Sequence, residues 1–212
     1  MNKVFFGDIN SNLVLIQPVD EHDLSFIDNE IKEIKRLTNN KDFLLIAFKV
    51  NNWNKDLSPY KAKAVFGKED FGNGASNTLK EISSVCNDLI NKTYIIGGYS
   101  LAALFAIWAS YNTNIFKGVA ASSPSIWFPN FINYMEDNVI KTNNVYLSLG
   151  DQEEKTKNPI MSKVGICIKE AYELLKGSNI NCFLEYNKGN HFIDADTRTA
   201  KAFAWTINHI YN

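Results

Sequence analysis

The stretch KTYIIGGYSLAALFAIW, residues 92–108, is the part of this chain that decides its fold. A short β-type run over residues 93–96 meets two glycines, a serine follows at position 100, and an apolar helical run begins directly after it. A serine at the tip of a sharp strand-to-helix turn needs small residues two positions before and after it, because larger side chains would collide across the turn. Gly98 and Ala102 meet that requirement. The stretch therefore predicts a strand, a tight turn that presents Ser100, and a helix.

Strand-like and helix-like segments alternate along the rest of the chain. Predicted strands cover residues 12–17, 42–50, 93–96, 116–121, 144–149 and 180–186. Further helices are predicted over residues 24–37 (with Asp23 as its N-cap), 75–91, 129–140, 159–175 and 196–211. This alternation implies parallel strands joined by right-handed crossovers, and the almost continuously apolar strands imply a sheet covered on both faces. We therefore expect a single α/β domain over residues 1–212, with a mostly parallel central sheet and helices on both faces.

Composition bears on the possible partners and cofactors. Lysine and arginine total 22 against 23 acidic residues, so a formal net charge of −1 provides no basic field for nucleic acid. No run approaches the roughly 18 apolar residues of a membrane span, and the N-terminal segment lacks signal-peptide features, which predicts a cytoplasmic protein with no membrane partner. The three cysteines, Cys86, Cys167 and Cys182, are widely spaced and are expected to be reduced. No metal-ligand spacing or phosphate-binding glycine loop occurs, so we expect neither metal nor cofactor, and the oligomeric state stays open.

A base is required if Ser100 is to act as a nucleophile, because a serine hydroxyl is weak until its proton is taken. The strand–turn–helix around Ser100 resembles that of an α/β hydrolase, and this resemblance implies a base in the loop after the last strand, in the chain order serine, acid, histidine. His191 directly follows the predicted strand 180–186 and fits that place. His209 is predicted to pack or face solvent, and His22 precedes the serine and is expected at most to line the pocket. The alternative for His191 is a loop histidine that caps the next helix.

Three carboxylates follow the predicted strand 144–149 and compete for the role of acid: Asp151, Glu153 and Glu154. One of them must reach Nδ1 of His191, where a carboxylate fixes the tautomer and stabilises the imidazolium. At least one of the three is expected to be only a solvated charge in an acidic turn. The residues alone leave the choice among them open.

A developing oxyanion needs two backbone N–H donors. One is predicted to be Leu101, at the start of the helix where the helix dipole helps. The second donor should follow an earlier strand, and Pro18 has no N–H, so Val19 or Asp20 is the candidate.

Aromatic residues next to the turn, or in loops after strands, are predicted to wall the substrate pocket: Tyr99, Trp53 and Trp127. Packing in the core is the alternative role for these residues. For the two tryptophans, the pocket role and the packing role are equally consistent with the sequence. Three further serines are rival nucleophiles, but they lack the glycine-flanked turn and are expected to form a loop beside the site: Ser122, Ser123 and Ser125.

These segments together resemble the esterase branch of the α/β-hydrolase superfamily that includes the enterochelin esterases and the S-formylglutathione hydrolases. The resemblance covers the chain from about residue 10 to its end and rests on GGYSLAA (97–103), ASSPSIW (121–127), LSLGDQEEKT (147–156) and GNH (189–191). It implies a serine hydrolase of esters or thioesters in which Ser100 is the nucleophile and His191 the base. That branch commonly shows Gly-x-x-Asp/Glu after the strand that carries the acid, which selects Glu153. The chain is short for the branch, which implies a reduced N-terminal meander, no cap domain and an open, shallow site.

The expected function is cleavage of a small-molecule carboxylic ester through an acyl-Ser100 intermediate. The same triad would equally serve a thioesterase or a siderophore-type esterase, since acyl specificity depends on the shape of the pocket. A non-catalytic hydrolase fold that serves as a binding module is a further alternative. A purely structural role for Ser100 would require the positions of His191 and the acidic loop to be coincidental.

Overall fold

The protein is described by a computed structural model over residues 1–210. The strands are β1 (Asn2–Gly7), β2 (Leu13–Val19), β3 (Leu44–Lys49), β4 (Thr93–Tyr99), β5 (Phe116–Ser122), β6 (Asn144–Gly150) and β7 (Asn181–Asn187). The α-helices are α1 (Glu21–Leu37), α2 (Trp53–Asp56), α3 (Ala75–Asp88), α4 (Ser100–Asn112), α5 (Phe131–Asp137), α6 (Val164–Gly177) and α7 (Ala195–His209). All seven strands belong to one sheet in the order β1-β3-β2-β4-β5-β6-β7, and only the pairing of β1 with β3 is antiparallel. The predicted mostly parallel α/β sheet is therefore confirmed.

Two hydrophobic cores lie on opposite faces of the sheet. Alternate residues of a strand point to opposite faces, so Val14 and Ile16 join one core while Leu13 and Leu15 join the other. The larger core lies under α3, α4, α5 and α6, and the smaller core lies under α1 and α7. Helix α4 is buried on every side from Leu101 to Tyr111, which explains why its sequence shows no polar face. The nucleophile turn is thus fixed between a central strand and a helix that is enclosed in the larger core.

Several boundaries differ from the predicted ones. Strand β1 was not predicted; it lies at the sheet edge with Val4 and Phe5 exposed, so it lacks the apolar signature of a buried strand. The N-cap of α1 is Asp20 and not Asp23, because the two aspartates form a reciprocal capping box in which Asp23 is the third helical residue. The predicted helix 159–175 divides into a 3₁₀ turn, Met161–Lys163, and α6. The predicted end of the last helix at residue 211 lies outside the described residues.

Membrane insertion can be assessed for the helices themselves. Across residues 1–210, none is both long enough and apolar enough to cross a bilayer.

Candidate active site

The turn that presents Ser100 is sharp and strained. Strand β4 ends at Tyr99, α4 begins at Ser100, and the Ser100 backbone is held in the left-handed region with a φ of +57°. Non-glycine residues in this region cost of order 1–3 kcal/mol and cluster at functional sites. A Cβ added at Gly98 would lie only 2.8 Å from the Cβ of Ala102, so the small residues predicted on either side are required by contact across the turn.

A continuous hydrogen-bond chain links three of the residues predicted for the site. His191 Nε2 lies 3.0 Å from Ser100 Oγ, and His191 Nδ1 lies 2.7 Å from Glu153 Oε2. The carboxylate accepts the Nδ1–H, which leaves the Nε2 lone pair directed at the serine hydroxyl. The loop between β7 and α7 places the histidine, and a 3₁₀ turn after β6 (Glu153–Lys155) places the carboxylate. This is the geometry in which a serine proton can pass to a histidine base.

The structure separates the three competing carboxylates by their contacts. Glu153 alone bonds to His191. Asp151 Oδ1 instead accepts the backbone N–H of Gly189 at 2.9 Å, which ties the acidic turn to the loop that carries the histidine. The Glu154 carboxylate lies against Gly165 in α6. A Cβ atom at position 165 would overlap Glu154 Oε2, so a side chain there would collide with the carboxylate. Geometry therefore favours the carboxylate that the family resemblance selects.

Glu153 is held in place by a dense set of donors. Its Oε1 accepts from the Gly150 N–H and the Ser123 hydroxyl, both at 2.7 Å, and from Arg198 Nη1 at 3.1 Å. Burial disfavours the charged carboxylate, but the hydrogen bonds from His191, Ser123 and Gly150 outweigh that cost, so the pKa of Glu153 is lowered from its ordinary value. The acid is thus kept ionised and aimed at the imidazole.

Arg198 is a site residue that sequence reasoning missed. It lies in α7, is only 2% exposed, and pairs with Glu153. Its Nη1 also donates to the Tyr99 hydroxyl at 3.1 Å and its Nη2 to the Lys188 carbonyl at 3.0 Å. Tyr99 in turn donates its hydroxyl proton to the carbonyl of His191 at 2.9 Å. One guanidinium therefore braces both the acid and the loop of the base.

The three rival serines lie beside the site, Ser122 as the last residue of β5 and the other two in the loop that follows, and each has a supporting contact. Ser122 donates to the Arg198 carbonyl at 3.0 Å, and Ser123 donates to Glu153. The Ser125 hydroxyl lies 3.2 Å from Ser100 Oγ, and its backbone N–H donates to the Ser100 carbonyl at 3.1 Å. Among the described residues, Ser100 is the only serine whose hydroxyl lies within hydrogen-bonding distance of a histidine ring.

The two candidates for the second oxyanion donor point in opposite directions. The Val19 carbonyl accepts from the Val50 N–H on the β3 side, and one residue of an extended strand directs its N–H and C=O to the same side. The Val19 N–H therefore faces β3, away from Ser100, and the next N–H, that of Asp20, faces the β4 side. The Asp20 N–H donates to Asp23 Oδ2 at 3.2 Å in the capping box. Asp20 is the better-placed candidate of the two, together with Leu101 at the start of α4.

The predicted aromatic walls divide into two settings. Trp53 lines a cavity of about 440 Å³ with Asp20 and Phe66. Trp127 is buried and packs against the rings of Phe66 and Phe71, with centroids 6.1 and 6.2 Å away, so packing is its observed role.

Tyr99 lines a separate cleft of about 550 Å³ on the α1/α7 face of the sheet.

Within residues 1–210, no group of three or more histidine, cysteine or acidic side chains is arranged to hold a metal ion.

Comparisons with known proteins place the chain in a fold class. No protein-family model matches it, and no curated protein sequence matches it significantly. An IroE-like serine hydrolase from Shewanella oneidensis aligns with a TM-score of 0.73 at 14% identity, over 98% of this chain and 73% of that one. The siderophore hydrolase EstA from Aspergillus nidulans aligns with a TM-score of 0.69 at 15% identity, over 96% and 86%. A Bacillus cereus carboxylesterase aligns with a TM-score of 0.58 at 14% identity, over 98% and 94%.

These likenesses establish the architecture. The chain has an α/β-hydrolase fold of the kind found in esterases, as the sequence motifs predicted. The enterochelin esterase from Shigella flexneri also aligns, with a TM-score of 0.69 at 12% identity, but the chain spans only 55% of that protein's length.

Proposed function

We propose that this protein is a serine hydrolase that cleaves carboxylic esters through an acyl-Ser100 intermediate. The observation that carries the proposal is the continuous Ser100–His191–Glu153 hydrogen-bond chain, with links of 3.0 and 2.7 Å, at the carboxyl edge of the sheet. Several proteins of the same fold are named as esterases or a carboxylesterase, which supports an ester as the bond that is cleaved.

The first half-reaction forms the acyl-enzyme. Ser100 Oγ attacks the ester carbonyl carbon while its proton passes to His191 Nε2, and Glu153 stabilises the imidazolium that results. The carbonyl oxygen becomes an oxyanion, for which the N–H groups of Leu101 and Asp20 are the proposed donors. The tetrahedral intermediate collapses, the carbon–oxygen bond to the alcohol breaks, and the histidine returns its proton to the departing alkoxide.

The second half-reaction repeats these roles with water. His191 takes a proton from a water molecule that attacks the acyl carbon, and it returns that proton to Ser100 Oγ as the carboxylic acid leaves. The Asp20 N–H is held by Asp23 in the structure, so its use as an oxyanion donor requires that this capping bond be released.

The test is covalent labelling together with turnover. A fluorophosphonate should add once to the wild type, as read by intact mass, and not to Ser100→Ala. Ser125→Ala is the matched control, since it removes the neighbouring hydroxyl 3.2 Å away, and it should still be labelled. Turnover of p-nitrophenyl acetate should be lost in Ser100→Ala and kept in Ser125→Ala. A folded wild-type protein that neither labels nor turns over would refute the proposal.

A further inference from the structure

The cleft of about 550 Å³ on the α1/α7 face is lined by polar groups that the proposed reaction does not use. Gln17 from β2 and Glu30 from α1 lie in its wall and are only 3% and 4% exposed. Gln17 Nε2 donates to Glu30 Oε2 at 3.2 Å, and this bond orients the amide. Gln17 Oε1 and Glu30 Oε1 are both buried and have no hydrogen-bond partner among the described residues. Buried polar atoms are normally satisfied, so two orphaned oxygens in one cleft wall indicate a missing donor.

The charge of the cleft indicates what kind of donor is missing. Further titratable side chains in its wall are those of His22, Asp23, Tyr99, Asp194 and Asp196, and no lysine or arginine of residues 1–210 lines it. Burial, with Asp23 and Asp196 nearby, raises the pKa of Glu30 to about 8. Burial and the adjacent Asp20 likewise raise the pKa of Asp23 to about 6. A cation would relieve both penalties, whereas an anion would add to them.

The cleft is suited to an organic ammonium group and not to a metal ion. Its carboxylates do not converge as a metal-ligand group, whereas a primary ammonium carries three N–H donors and no acceptor. Two of those donors would satisfy the unpartnered oxygens of Gln17 and Glu30. The wall also contains the aromatic rings of Tyr99 and Phe192, which add a favourable face for a cation.

The position of the cleft connects it to the proposed chemistry. Tyr99 immediately precedes Ser100, and Phe192 immediately follows His191, so the aromatic wall is built from the chain neighbours of the nucleophile and the base. We propose that this cleft binds the ammonium group of an amine-bearing ester, an inference that rests on the proposed hydrolase function.

The first experiment compares p-nitrophenyl esters of ω-amino acids with p-nitrophenyl alkanoates of the same chain length, over graded lengths. For at least one length, the wild type should prefer the amino ester in kcat/KM by about tenfold, because hydrogen bonds to charged groups exceed those to neutral ones. Glu30→Gln should reduce that ratio to near one, and Asp28→Asn, which removes an exposed carboxylate of the same helix, should keep it. The inference would be overturned if the wild type showed no preference in kcat/KM for the amino ester at any chain length. It would also be overturned if Glu30→Gln kept the wild-type preference. If Glu30→Gln does not fold, Gln17→Met makes the same test from the other oxygen.

The second experiment separates this inference from the hydrolase function. Calorimetric titration of Ser100→Ala with n-butylammonium chloride should show saturable binding, and n-butanol should bind at least about tenfold more weakly. Tetramethylammonium, which has no N–H, should also bind more weakly. Absence of butylammonium binding, with fluorophosphonate labelling of Ser100 intact, would overturn the cleft assignment and leave the hydrolase function standing. An unlabelled Ser100 would overturn the hydrolase function and with it the assignment of the ammonium to a substrate.

Discussion

Replacing Glu153 with glutamine should reverse the tautomer of His191, and the reason lies in the hydrogen bonds of the carboxylate. Three donors converge on Oε1, from Gly150, Ser123 and Arg198. In Glu153→Gln the amide oxygen must occupy that position, because an NH₂ group there would face only donors. The NH₂ group then takes the Oε2 position and donates to His191 Nδ1, so the imidazole proton moves to Nε2.

The cost follows from that displaced proton. With Nε2 protonated, Ser100 has no acceptor 3.0 Å away, and reversal of a triad tautomer lowers kcat by about 10⁴-fold. At about 1.4 kcal/mol per factor of ten, this is a loss of about 5 kcal/mol of transition-state stabilisation. Stability should fall as well, by about 3 kcal/mol, because the Arg198 guanidinium stays buried without its counter-charge.

The assay is steady-state turnover of p-nitrophenyl acetate beside urea unfolding, with the two neighbouring carboxylates as controls. Asp151→Asn keeps an oxygen for the Gly189 N–H, and Glu154 does not touch the histidine, so Asp151→Asn and Glu154→Gln should both stay within about threefold of wild type. Glu153→Gln with more than about a tenth of wild-type kcat would refute the tautomer argument. A comparable loss in either control, in a folded protein, would refute the choice of acid.

Three further predictions concern stability. Arg198→Met should lower the free energy of unfolding by about 3–5 kcal/mol because it leaves Glu153 buried without its cation; an unchanged urea midpoint would count against the brace. Burial raises the pKa of Glu30 to about 8 in the folded protein from its ordinary value of 4.5, so its burial costs stability as pH rises from 4.5 through 8. Glu30→Gln should therefore stabilise the protein by on the order of 5 kcal/mol near pH 9 and hardly at all near pH 4, and equal effects at both would contradict that pKa. Gly98→Ala should cost about 1–3 kcal/mol because the new methyl would meet Ala102, and an unchanged melting temperature would argue against that close contact.

The sequence predicted the parts of the fold that have strong local patterns. Apolar runs of strand length, such as residues 42–50, identified the buried parallel strands, and the turn around Ser100 followed from small residues at fixed positions. Strand β1 was missed because its residues are exposed and its only partner is β3, a contact that no local pattern reveals. The cap of α1 was misplaced by three residues because Asp20 and Asp23 both fit an N-cap and only their mutual bonds separate them.

In the candidate site, the order of residues along the chain was informative. The direction in which each side chain points could not be predicted from the sequence. Chain order predicted Ser100 and His191, which the structure brings to hydrogen-bonding distance. The choice among the acidic residues depends on which way each side chain leaves a tight 3₁₀ turn, and no periodicity encodes that. Arg198 was missed because it lies in the first turns of a closing helix, far along the chain from Glu153, although it is one of only two arginines in the chain.

The triad and one wall of the proposed recognition cleft come from different stretches of the chain. Ser100, Glu153 and His191 all follow β4, β6 or β7, whereas Gln17, Glu30 and Trp53 all precede β4; the aromatic wall of the cleft, Tyr99 and Phe192, adjoins the triad. Recognition can therefore change while proton transfer is kept, because substitutions of the Gln17, Glu30 or Trp53 side chains alter these walls without touching the triad. For protein engineering, Gln17, Glu30 and Trp53 are therefore the positions at which substitution can change the substrate while the hydrogen-bond chain from Ser100 to Glu153 is kept.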